Sequence, residues 1–90
     1  MKTIRIRISG KVQGVFYRKS AKDKAIALGV TGWVRNEDDG SVTLEATGDP
    51  TALLQLVEWC TEGPPRAVVD DVKVEELPFH DFPHFMSERE

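Results

Sequence analysis

Residues 3–9 read Thr-Ile-Arg-Ile-Arg-Ile-Ser, with isoleucine at positions 4, 6 and 8 and polar side chains between them. A repeat of two sets the isoleucines on one side of an extended chain and the polar groups on the other, which predicts a strand with one covered face. Residues 41–47 alternate in the same way, with Val42, Leu44 and Ala46 inward and Thr43, Glu45 and Thr47 outward. Strands of this kind need an apolar layer against the covered side. Two intervening segments supply it. From Tyr17 to Leu28 the set Ala21, Ala25 and Leu28 falls at helical spacing, lysines occupy other positions around the helix, and Gly29 suits a left-handed cap. In the second segment Leu53, Leu56, Val57 and Cys60 share one helical face. Asp49-Pro50 supplies its N-cap and first-turn proline, and Gly63-Pro64-Pro65 stops it.

The remaining elements follow. Thr31-Gly-Trp-Val-Arg-Asn36 reads as a strand, and Asp39-Gly40 as the turn that joins it to residues 41–47 in a hairpin. Residues 67–77 give a further strand in which Asp70-Asp71 marks a bulge, and Phe82 to Phe85 reads as a short edge strand. Strand, helix, strand, strand, helix, strand is the α+β, ferredoxin-like split βαββαβ sandwich, an antiparallel sheet carrying both helices on one face. The polar outward positions predict that the other face is open to solvent. Trp33 and Trp59 read as core or helix–sheet packing residues. Ninety residues suffice for one domain, 1–90, with one modest core.

Composition narrows the function classes. Cys60 is the only cysteine, which excludes an internal disulfide and a thiolate cage and suits a reducing, cytoplasmic setting. No stretch reaches the ~18 apolar residues of a membrane helix, and the N-terminus shows no apolar signal region. A net charge of −3 speaks against a protein whose main task is gripping a nucleic-acid backbone. The outward strand positions also lack the aromatic pair that single-strand RNA readers use. A monomer is the default expectation.

The chemistry concentrates in Gly10-Lys-Val-Gln-Gly-Val-Phe-Tyr-Arg18, which connects a buried strand to a helix. Successive N–H groups in such a loop can converge into an anion nest, and the helix N-terminus adds its partial positive charge. Gly14 lets the backbone bend and approach a ligand closely. Arg18, in the first turn, offers a planar fork matched to two phosphate oxygens. Asn36 falls near the end of the second strand, where the split fold can bring it near this loop; an amide can hold a water without acting as a base. Asp38-Asp39-Gly40 reads as a turn rather than a metal site. His80 and His84 sit in a loose, Pro-containing segment, and Cys60 reads as a buried structural thiol.

Taken together, Gly10 to Arg18, Leu28-Gly29, Gly32-Trp-Val-Arg-Asn36, Asp39-Gly40 and Gly63-Pro64 resemble the acylphosphatase family over about residues 3–76. The tail, 78–90, departs from the family's usual ending. The resemblance implies hydrolysis of a small-molecule acyl phosphate to a carboxylate and inorganic phosphate, with no metal or cofactor. It implies phosphate binding by Gly14, Val15, Phe16, Tyr17 and Arg18, a water positioned by Asn36, and a proton accepted by the substrate's own phosphate. A rival reading is a module that holds an anion without turnover; the presence of Asn36 beside Arg18 favours the enzyme.

Overall fold

The computed structural model describes residues 1–88; Arg89 and Glu90, the end of the predicted tail, lie outside the described residues. In chain order the elements are β1 (Lys2–Lys11), α1 (Tyr17–Ala27), β2 (Thr31–Asn36), β3 (Val42–Gly48), α2 (Pro50–Glu62), β4 (Val68–Leu77) and β5 (Phe85–Ser87). They form one sheet in the order β4-β1-β3-β2-β5. The first four strands pair antiparallel, as the split pattern predicts. The fifth pairs parallel to β2, with Phe85 opposite Gly32 and Ser87 opposite Val34, so the complete ferredoxin-like sheet is mixed. The extra strand falls at 85–87 rather than 82–85.

The isoleucine side of β1 is the core. Ile6 and Ile8 are wholly buried, with Val34, Val42, Leu44 and Ala46 beside them and Ala21, Ala25, Leu56 and Cys60 pressed down from the helices. Burying each of the larger aliphatic side chains contributes roughly 1.5–3 kcal/mol. Leu28 and Val57, predicted on the inward faces, are only partly buried. The β1–β4 register shifts between Ser9 and Gly10, opposite Asp71 and Val69, so Asp70 is the extra residue of the predicted bulge. A Cβ on Gly10 would lie 2.2 Å from the Val68 carbonyl oxygen, so only glycine lets β4 come this close where β1 leaves for the loop.

The expectation of an open far face holds at Arg5, Arg7, Lys73 and Glu75, which are exposed, and is corrected at the end that carries Thr3 and Thr47. Because β4 and β5 lie at opposite edges, residues 78–84 must traverse the sheet, and they do so over its helix-free side. Thr3 and Thr47, predicted outward, are buried beneath them. Their hydroxyl oxygens stand 2.6 Å apart; Thr47 Oγ1 donates to the His80 carbonyl at 2.6 Å, and His80 N–H donates to Thr3 Oγ1 at 2.9 Å. The two threonines thus satisfy irregular backbone that would otherwise be covered without partners. Trp33 belongs to this face, not to the core: it is half-buried, and the Arg35 guanidinium sits 4.8 Å from its ring. Trp59 packs as expected, its ring 5.2 Å from that of buried Tyr17. Among the described residues no helix is long and apolar enough to cross a membrane.

Candidate active site

The loop between β1 and α1 is pinned by two buried side chains, Val12 and Val15. Between and after these anchors the backbone takes an unusual path. Gly14 has φ 73°, and Phe16, the residue that opens α1, has φ 64° and ψ 22°. Phe16 is the one non-glycine residue with positive φ among the described residues. That conformation costs an L-residue about 1–2 kcal/mol. Packing does not repay it, since the Phe16 side chain is 71 % exposed. What the strain preserves is backbone shape: the sign of φ alternates over Gly14, Val15 and Phe16, and such alternation turns successive N–H groups toward one side.

Helix α1 continues that donor surface. Its first ladder bond runs from Ser20 N–H to the Phe16 carbonyl at 3.0 Å, so the amides of Tyr17, Arg18 and Lys19 precede the ladder. No side chain caps this end and no acidic residue lies in the first turn. The partial positive charge of the terminus therefore meets no local counter-charge.

Arg18 is held from the far end of the chain. Its Nη1 donates to the Glu88 carbonyl at 2.5 Å, and Glu88 N–H in turn donates to the Val34 carbonyl at 2.8 Å. The parallel docking of β5 on β2 thereby orients the guanidinium, and Ser87 joins the wall beside it. Sequence reasoning missed this contribution. Phe85, the last of three phenylalanines in the tail, is buried against the core and anchors the strand, and nothing in the sequence sets it apart from Phe79 and Phe82.

Gly14, Phe16, Tyr17, Arg18 and Asn36 line a single open cleft of about 530 Å³. Two stretches more than a dozen residues apart in sequence meet there because β3 pairs with both β1 and β2. Val15, also predicted for the site, turns its side chain into the core and does not line the cleft. The Tyr17 ring is also buried, its hydroxyl donating to the Cys60 carbonyl at 2.6 Å. Asn36 closes β2, and its Oδ1 is buried without a hydrogen-bond partner among the described residues. Such an atom costs about 1–3 kcal/mol when left dry, a cost that a small turn of the side chain toward a ligand or water O–H in the cleft would remove. Lys19 and Lys22 add to the lining, and no carboxylate does, so the cleft is cationic in a chain of net charge −3.

Asp39 and Cys60 have structural rather than chemical roles. Asp39 Oδ1 accepts from Ser41 N–H at 3.0 Å and Ser41 Oγ at 2.6 Å, and its Oδ2 accepts from Arg7 at 2.6 Å. Those bonds, the Ser41 hydroxyl first, hold its carboxyl down at about 2, and they close the predicted turn. Burial pushes the Cys60 thiol up to about 12, so it stays protonated and is no nucleophile near neutral pH. Among the described residues no group of three or more His, Cys, Asp or Glu is arranged to hold a metal ion. The cleft therefore offers anion grip from amides and one guanidinium, with a neutral amide acceptor at its side.

Known proteins of this kind share both the sequence and the architecture. The acylphosphatase family pattern matches residues 4–86. An acylphosphatase of Marinobacter nauticus is 61 % identical over 71 residues, 79 % of this chain and 77 % of that one. The structure of an acylphosphatase from Coxiella burnetii superposes with a TM-score of 0.94 at 44 % identity, covering 97 % of this chain and 92 % of its own. That of Bacillus subtilis acylphosphatase does so at 0.91 and 37 % identity, covering 97 % of both. With the family pattern running from within β1 to β5, this chain belongs to the acylphosphatase family.

Proposed function

We propose that this hydrolase splits the carboxyl–phosphate bond of acyl phosphates, with the Gly14–Tyr17 backbone and Arg18 gripping the phosphoryl group and Asn36 orienting the attacking water. The observation that carries the reading is the buried, unpartnered Asn36 Oδ1 in the same cleft as Arg18. A simple anion holder has use for the loop and the guanidinium but none for an acceptor, which repels a bound anion. A water can donate one O–H to Asn36 Oδ1 and present its lone pair to phosphorus.

The reaction asks little more of the protein. Water oxygen bonds to phosphorus as the bond from phosphorus to the acyl oxygen breaks, and the bonding pair leaves with the carboxylate. One water proton passes to a phosphoryl oxygen of the substrate, so the products are a carboxylate and inorganic phosphate. A carboxylate is a good leaving group and needs no acid, and phosphoryl transfer is chiefly positioning and charge stabilisation. The amides, the helix terminus and Arg18 can supply that charge, so we expect turnover to need no metal. All these groups come from one chain, so a monomer suffices.

The test is hydrolysis of benzoyl phosphate in excess chelator. The wild-type protein is expected to turn over undiminished, and Asn36→Ala to lose turnover while inorganic phosphate still binds. Phosphate binding with no turnover by the wild type would establish the anion-binding module instead.

A further inference from the structure

Gln13 belongs to the loop motif but does not line the cleft. Its Nε2 donates to two backbone carbonyls of the hairpin, that of Glu37 at 2.8 Å and that of Ser41 at 2.9 Å. These two residues also bond each other, Glu37 N–H to the Ser41 carbonyl at 2.8 Å. They lie immediately beyond the last β2–β3 pair, Asn36 with Val42. Gln13 is therefore fastened to the residue after Asn36 and to the residue before its partner.

This attachment matters because the sheet does not reach so far. The ladder between β1 and β3 ends at Ile8 opposite Val42, and from Ser9 to Lys11 β1 pairs only with β4. Past that point the phosphate loop and the Asn36 end of the hairpin diverge as separate segments. Arg7 also reaches the turn, at Asp39, but both side chains are more than half exposed. Exposed pairs of that kind contribute little. The Gln13 amide is part-buried and binds two carbonyls with one nitrogen, so both of its N–H groups are committed.

We infer that Gln13 is a positioning residue: it sets the separation between the phosphate-gripping loop and Asn36, and so the aim of the water at phosphorus. The inference rests on the reading of Asn36 given above. It requires that loss of the Gln13 donors harm the water's aim and spare the grip, because the nest and Arg18 are built without Gln13.

Gln13→Met keeps the volume and removes both donors. It is expected to lower kcat for benzoyl phosphate by up to about 10²-fold, the scale of an ångström-sized misplacement. The inhibition constant for inorganic phosphate and the cooperativity of urea unfolding are expected to stay near wild type. In the double variant with Asn36→Ala, kcat is expected to match that of Asn36→Ala alone, since Gln13 acts through Asn36. Gln13→Glu, of nearly the same shape, is expected to lose the same activity and serves if the Met variant does not fold. Near-normal kcat in both variants would overturn the inference. So would phosphate affinity falling in parallel with kcat, or losses that multiply in the double variant. If instead the wild type does not hydrolyse benzoyl phosphate, or Asn36→Ala retains full turnover, the parent reading of Asn36 has failed, and the Gln13 result is not needed to see it.

Discussion

The two helices begin in opposite ways. Helix α2 starts from Asp49 in extended backbone, φ −65° and ψ 145°, with Pro50 in its first turn. Proline contributes no N–H, and the Asp49 carboxylate lies at the positive end of the helix, so this terminus is short of donors and locally neutralised. Helix α1 starts from a left-handed Phe16 behind a left-handed Gly14, with no acid and no proline in its first turn and Arg18 just inside it. Both termini carry the same macrodipole, yet only that of α1 keeps its first-turn donors without a local counter-charge, as the proposed anion site requires. A helix end becomes a site through the loop that feeds it and through the absence of its own counter-charge.

Substitutions that exchange those features test the contrast, and Arg18→Ala is expected to have the largest effect. Removing a donor used in the transition state lowers kcat by about 10²–10³. Retention of near wild-type turnover by Arg18→Ala would sink the assignment. Next, inorganic phosphate at a hundred times its dissociation constant should raise the unfolding free energy by about 2.7 kcal/mol. That protection, read from urea titrations, should weaken sharply in Arg18→Ala and persist in Asp49→Ala; equal protection in both would place the anion elsewhere.

Gly14→Val forces a β-branched residue into the left-handed region at a cost of about 1–3 kcal/mol. No protein atom lies within 4 Å of the added Cβ, so a loss in stability reports backbone conformation, while a loss in phosphate affinity also reports the side chain placed in the cleft. Unchanged stability and affinity would mean that the loop does not need this shape. The smallest effect is expected from Asp49→Ala, about 0.3–1 kcal/mol in unfolding free energy with activity intact. Its side chain makes no capping hydrogen bond, so only its charge at the helix end is lost. A loss well above 1 kcal/mol would show that the two termini differ less than described.

Much of this was legible in the chain. The alternation at Ile4, Ile6 and Ile8 located β1 and its buried face, Val42, Leu44 and Ala46 located β3, and Asp70 sits at the bulge where the acidic pair suggested one. Of the residues singled out for the site, Gly14, Phe16, Tyr17, Arg18 and Asn36 do meet in one cleft. The alternating pattern misled at Thr3 and Thr47, because period two says which side of a sheet a residue faces but not what lies over that side. It misled again at Trp33, whose size suggested a core position while its register set it on the helix-free face. The parallel β5 was hardly legible, since three residues are too few for a period to show.

By itself, then, the sequence determined the elements, their order, the covered side of each strand and the chemical types at the loop. All of these are local, since periodicity and turn chemistry act over a few residues. The aim of each functional group was decided only in three dimensions. Arg18 is oriented by a carbonyl seventy residues away, and Gln13 bridges to carbonyls 24 and 28 residues on. Asn36 Oδ1 is left unpartnered by its surroundings, and Phe16 is held left-handed between the buried anchor at Val15 and helix α1. Hydrogen bonds to backbone carbonyls carry no sequence signature, because every residue has such a carbonyl and only the fold decides which one is near. The loop and its residue types could be read from the chain, but its meeting with Asn36 in one cleft belongs to the tertiary structure.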